Sequence, residues 1–134
     1  MEATKIQFLI DHAKEAREFS RAKFSGFQVG AALVTKEDKI YLGCNVESSS
    51  YGLSICAERV ALTKALSEGS EHFVAIAIIG PTRDYCPPCG ACRQLLYDYA
   101  PKLKIILTNG KENKVINLKE LLPLPFEETK LKER

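Results

Sequence analysis

Ile6, Leu9, Ile10, Ala13, Ala16 and Phe19 recur at three- and four-residue intervals, so the first twenty residues read as an amphipathic helix. From Phe27 the period changes. Residues 27–35 form a compact apolar run that predicts a strand, the polar set 36–39 a turn, and residues 40–46 a second strand. So short a connection makes the two an antiparallel hairpin. Residues 56–67 are rich in Ala, Leu and Glu and stop short of Gly69, which predicts a helix with its stop signal. The unbroken apolar run 73–79 predicts a central strand buried on both faces. Pro81, Pro87 and Pro88 mark a loop, and the helix expected over 89–100 is halted by Pro101. Residues 104–108 predict another strand, Asn109-Gly110 a turn, 115–118 a returning edge strand, and 119–122 a helical turn before Pro123. A strand, a helix and a further strand in succession imply a right-handed crossover. The expected fold is therefore α/β: a three-layer α/β/α sandwich around a mixed five-stranded sheet.

Length and charge narrow this picture. The chain has 134 residues, enough for one domain with a real core, and it shows no repeat or linker, so residues 1–134 read as a single domain. Acids and bases alternate over 127–134, which reads as a solvated tail. A net charge of only +2 argues against a strong electrostatic grip on nucleic acid or an anionic membrane. No apolar run approaches the ~20 residues of a membrane helix, and Met1-Glu2-Ala3-Thr4-Lys5 does not open a signal peptide. The expected location is the cytoplasm. Five cysteines there point to metal or catalysis rather than to disulfides.

The chemistry gathers in two segments, Ser54-Ile55-Cys56-Ala57-Glu58-Arg59 and Cys86-Pro87-Pro88-Cys89-Gly90-Ala91-Cys92-Arg93-Gln94, each where a loop enters a helix. Cys89 and Cys92 are three apart and share a helix face. A helix N-terminus stabilises thiolates, and two thiolates held together suit a soft cation, with zinc the default. An isolated pair of this spacing is also compatible with a redox dithiol. Cys56 supplies a third thiolate, and at a helix entrance it can ligate metal while Glu58 points at whatever the metal binds. Three protein ligands leave the fourth position to water, the arrangement of a catalytic zinc. Taken alone, Glu58 also fits a first-turn acid favoured by the helix dipole. Three thiolates with Zn²⁺ carry a net negative charge, which weakens the metal as a Lewis acid. Arg59, at i+3 from Cys56, is placed to donate to the thiolates and drain that charge, and Arg93 beside Cys92 is a second candidate. A rival reading adds Cys86 to form a closed four-cysteine structural site with no place for water.

Cys-Ala-Glu-Arg followed by Pro-Cys-Gly-Ala-Cys-Arg-Gln resembles the small homotetrameric cytidine deaminases, within the wider zinc-deaminase signature. The likeness extends over most of the chain: residues 24–33 resemble the family's first strand and its approach, Gly43-Cys44-Asn45-Val46-Glu47 its nucleoside-binding segment, and Leu121-Leu122-Pro123 with Phe126 its C-terminal stretch. The resemblance implies one zinc per subunit on Cys56, Cys89 and Cys92, with Glu58 as the proton shuttle. It implies that Asn45 and Glu47 hold the ribose hydroxyls, that Phe27 packs on the pyrimidine and that Ala57 contacts substrate. The loop to Tyr51 would shape the pocket, partly for a neighbouring subunit, and Phe126 would reach an adjacent subunit's site. The implied activity is hydrolytic deamination of cytidine, and of deoxycytidine, to uridine in pyrimidine salvage. A carboxylate at Glu47 would repel a 3′-phosphate and so favour a free nucleoside over a nucleic acid. Deaminases of the blasticidin type share the metal motifs but fit Asn45-Val46-Glu47 less well, and no basic, aromatic-lined surface suggests editing of RNA or DNA. Two stretches depart from the family: the hydroxyl-rich Ser48-Ser49-Ser50, and residues 82–86.

Overall fold

The computed structural model describes residues 1–81 and 83–132; Thr82 of the divergent 82–86 stretch and positions 133–134 of the tail lie outside them. Along the chain run α1 (Ala3–Arg17), β1 (Gly30–Thr35), β2 (Ile40–Cys44), a 3-10 turn (Tyr51–Leu53), α2 (Ala57–Ser67), β3 (Phe73–Ile79), α3 (Gly90–Tyr99), β4 (Lys104–Thr108), β5 (Asn113–Asn117), α4 (Leu118–Leu121) and α5 (Thr129–Lys132). The strands form one sheet in the order β2-β1-β3-β4-β5, with β3 and β4 parallel and every other pair antiparallel. The mixed five-stranded sheet of the sequence reading is what folds. Among the described residues no helix is long and apolar enough to cross a membrane.

The unbroken apolar runs follow from burial on both faces. Ala32, Val34, Ala75, Ala77, Ile79 and Ile106 pack under Leu9, Ile10 and Ala13 of α1. Their alternate neighbours Ala31, Leu33, Ile76, Ile78, Ile105 and Leu107 pack under Ala61, Leu62 and Ala65 of α2 and Leu96 of α3. Successive strand residues point to opposite faces, so a three-layer sandwich has no polar alternation in its central strands.

Several boundaries move, each for a local reason. Helix α1 stops at Arg17, where Phe19 N–H and Ser20 N–H turn back to Ala16 O and Arg17 O, and Phe19 swings out of the apolar stripe to 74% exposure. Strand β1 starts at Gly30 rather than at 27. The Asn45 side chain, not a neighbouring strand, takes the Val29 N–H (2.9 Å) and donates to Phe27 O (2.8 Å). Strand β5 begins at Asn113, two residues early, because Asn109 Oδ1 closes a tight turn by accepting from Lys111 N–H and Glu112 N–H. The tail is tied down at its root by Tyr97 Oη–H to Glu127 Oε1 (2.6 Å) and then forms the single turn α5.

One close approach sets the height of α2 over the sheet. A Cβ on Gly43 of β2 would lie 2.3 Å from Ala57 O and 2.6 Å from Ala61 N, both rigid backbone. Gly43→Ala is therefore expected to cost about 1–3 kcal/mol through overpacking. Urea unfolding checks it; a midpoint equal to wild type would show that the helix yields freely.

Candidate active site

Gly30 of β1 pairs with both Cys44 of β2 and Ile79 of β3, so three strand ends meet at one edge of the sheet. From that edge the chain enters α2 at Cys56 and, after the proline loop, α3 at Cys89. Each cysteine caps its helix with extended backbone (ψ 153° and 169°), and neither makes a side-chain cap bond. Their sulfurs are left for another purpose. Cys92, one turn into α3, is fully buried.

The three Sγ atoms lie within 4.8 Å of one another, with Cys56–Cys89 at 3.9 Å and Cys89–Cys92 at 3.5 Å. Tetrahedral zinc with Zn–S near 2.3 Å requires S···S edges of about 3.8 Å. The donor set and its spacing fit that ion. Cys86 does not join the cluster. It packs beside Gly80, whose Cβ would meet Cys86 Sγ at 3.3 Å and Phe27 Cζ at 3.5 Å, and burial, followed by the charges of Glu58 and Cys56, pushes its thiol up to about 11. A neutral, packed thiol outside the cluster leaves three sulfurs that could hold a metal.

Electrostatics separate the sulfurs. Cys56 is held down to about 5, chiefly by the hydrogen bond from Cys92 and also by the Arg59 guanidinium, while that same bond and burial push Cys92 up. Arg59 Nη2 reaches Cys56 Sγ at 3.8 Å and Ser54 O at 3.3 Å, as its i+3 position suggested. Arg93 behaves differently from its sequence expectation. Its Nε donates to Pro88 O and its Nη1 to Leu121 O, both at 2.8 Å, so it ties the loop before Cys89 to the end of α4 and bonds to no thiolate among the described residues.

Glu58 sits in the first turn of α2 at 4% exposure. Burial raises its carboxyl to about 7, with the Cys56 charge adding to the effect. A cavity of about 370 Å³ opens over it, lined also by Phe27, Asn45, Glu47, Ala57, Cys56 and Cys89. Seven of the residues singled out from the sequence thus share one wall system. Two do not. Tyr51 lines the neighbouring cavity of about 420 Å³ with Phe24, Ser48 and Ser54, which shares Ser25 and Glu47 with the first. Phe126 lies beyond α3, where its carbonyl accepts from Gln94 Nε2, beside Tyr97 and Pro101.

The polar pair is more committed than its spacing suggested. Asn45 Oδ1 accepts from Val29 N–H and from the Ser20 hydroxyl, and Nδ2 donates to Phe27 O. Glu47 Oε1 accepts from Phe24 N–H (3.0 Å) and Ser25 N–H (2.9 Å), and Oε2 accepts from the Ser25 hydroxyl. These bonds, the Ser25 hydroxyl first, hold the Glu47 carboxyl below its ordinary range. The hydroxyl-rich rim has a local use: Ser54 Oγ takes the Ser48 N–H, and Ser48 Oγ takes the Ser50 N–H. Ser25, Val29, Cys86 and Pro87 line the cavity without having been assigned there; only the bonds of Ser25, invisible in a linear pattern, mark it out.

Fold and site together define an α/β protein with a corner of three cysteines spaced for a metal beneath a ligand-sized cavity. Residues 3–108 match the model of the cytidine and deoxycytidylate deaminase zinc-binding region. A cytidine deaminase of Halalkalibacterium halodurans is 47% identical over 122 residues, 90% of this chain and 92% of its own, and one of Sporosarcina psychrophila is 40% identical over 90% of each. The crystal structure of a cytidine deaminase from Burkholderia pseudomallei superposes with a TM-score of 0.87 at 45% identity, covering 94% of this chain and all of that one. The chain belongs to the family of zinc-binding cytidine and deoxycytidylate deaminases.

Proposed function

We propose that the chain is a cytidine deaminase: it hydrolyses cytidine, and deoxycytidine, to uridine and ammonia, with one zinc per subunit on Cys56, Cys89 and Cys92. The observation that carries this reading is the single cavity in which a buried carboxylate, two of the clustered thiols, an aromatic ring and a polar pair converge. A zinc held by Cys56, Cys89 and Cys92 would supply the Lewis acidity that makes water nucleophilic at neutral pH.

The protein groups divide the remaining work. Glu58 accepts a proton from the attacking water and gives it to ring N3 so that C4 becomes electrophilic, then takes the proton of the new C4 hydroxyl and delivers it to the departing amino group, which leaves as ammonia. Its burial keeps bulk water from competing for that proton. Arg59 donates to Cys56 Sγ and moderates the negative charge of the thiolates. Phe27 packs on the pyrimidine face, and Ala57, at the first helical position of α2, offers a main-chain N–H with no partner inside the helix. Asn45 and Glu47 hold the sugar, and the ionised Glu47 disfavours a 3′-phosphate, so the substrate is a free nucleoside.

In the same reading the chain acts as one domain, in a homotetramer with shared active sites, in cytoplasmic pyrimidine salvage. Tyr51 and Leu53 beside the second cavity are 79% and 70% exposed, and Phe126 is 56% exposed, which suits side chains that complete a neighbouring subunit. The test is the ultraviolet absorbance of cytidine mixed with zinc-loaded protein, with ammonia measured in parallel. Conversion to uridine with one ammonia per nucleoside is expected. An inert cytidine alongside consumption of a blasticidin-type base would move the reading to that substrate.

A further inference from the structure

We propose that Ser25 is a positioning residue for sugar recognition: its hydroxyl orients the Glu47 carboxylate so that Oε2 meets a single nucleoside hydroxyl together with Asn45. This rests on the reading of the chain as a nucleoside deaminase and deepens it.

Local structure brings Ser25 to its place. After α1 the chain turns tightly, Gly26 N–H donating to Ala22 O at 2.8 Å, with Gly26 at φ +71°, a conformation that glycine adopts without cost. The hook lays Phe24 N–H and Ser25 N–H on Glu47 Oε1. The Ser25 oxygen accepts from Phe27 N–H at 3.0 Å and also bonds to Glu47 Oε2. A serine hydroxyl has one proton, and a carboxylate oxygen can only accept, so the proton must lie toward Glu47. The rotor is therefore locked, and it links the backbone under the Phe27 ring to the Glu47 carboxylate.

Counting what remains gives the specificity. An ionised carboxylate has about four acceptor positions. Protein groups fill three, which leaves one on Oε2. Asn45 has both Oδ1 positions filled and one of its two N–H groups in use, which leaves one donor. The pair thus offers one acceptor and one donor. One hydroxyl that donates to Glu47 and accepts from Asn45 would use both. Without the Ser25 hydroxyl, Oε2 loses its only bond among the described residues, Phe27 N–H loses its acceptor, and the carboxylate is held at one oxygen alone.

The experiment compares wild type, Ser25→Ala and Ser25→Thr on cytidine, 2′-deoxycytidine and 3′-deoxycytidine, with zinc content measured throughout. Wild type is expected to lose at least about tenfold in kcat/KM on one of the two deoxy analogues, the worth of one hydrogen bond to a charged group. Ser25→Ala is expected to raise KM for cytidine about tenfold with kcat within about twofold, to keep its zinc, and to lose most of the discrimination against that analogue. Ser25→Thr is expected to restore both, since Ser25 is exposed and the added methyl has room. An equal penalty on all three nucleosides would make Ser25 merely structural and overturn the proposal, as would full discrimination in Ser25→Ala or failure of the threonine variant to rescue. A wild type that converts none of the three nucleosides would instead strike the deaminase reading itself.

Discussion

Glu58→Gln is expected to bind zinc as wild type does and to lose about 10²–10⁴-fold in kcat, the contribution typical of a positioned general acid–base. The substitution is nearly isosteric and removes no sulfur. Glu58 is 4% exposed in the first turn of α2, so an amide of the same shape fits the same space, keeps the cavity wall and alters one property: it can no longer take up and release a proton. The measurement pairs turnover of cytidine with zinc stoichiometry on the same preparation. Retained zinc with collapsed kcat assigns the proton transfers to Glu58. Turnover within about tenfold of wild type, with zinc retained, would hand them to another group.

The second large effect separates two cysteines that look equivalent in the sequence. Cys89→Ala should weaken zinc binding by more than the about 10–100-fold that loss of an outer hydrogen-bond partner costs, and activity should fall with it. Cys86→Ala should keep its zinc, because its sulfur lies outside the cluster, packed against Gly80 and Phe27. The parameter expected to move is KM, since Cys86 lines the cavity behind the aromatic ring. Competition with a chromogenic chelator reads both variants. Zinc loss from Cys86→Ala equal to that from Cys89→Ala would bring back a closed four-cysteine site.

Much of this was legible in the chain because the signals were periodic or punctuated. The apolar runs gave four strands of the sheet, the Asn109-Gly110 turn pointed to the fifth, glycine and proline marked most of the ends, and Cys56, Cys89 and Cys92 meet in the folded cluster. What escaped depends on side chains that replace backbone partners. Asn45 substitutes for a strand neighbour at Val29, and that moved the start of β1 by three residues. The same bonds occupy most of the polar capacity of Asn45 and Glu47, which spacing alone presented as free. Arg93 sits beside a clustered cysteine in sequence yet turns to the carbonyls of Pro88 and Leu121, because neighbours in a helix point some 100° apart. Ser25 carried no sequence signal, since a lone serine before glycine reads as a turn.

The two helices that open on the cysteine cluster have a consequence for folding itself. Each helix N-terminus behaves as roughly half a positive charge, and here α2 and α3 present two of them to one point through their capping cysteines. Left facing each other, those ends repel. Three thiolates around one dication carry about a single negative charge, which two such ends together neutralise. The cysteine corner therefore acts as a counter-ion that lets two helices of one layer converge, while the Arg59 guanidinium donates to Cys56 Sγ. Without a metal the Cys56 thiolate would supply the same single negative charge, so the convergence of α2 and α3 does not depend on a bound ion.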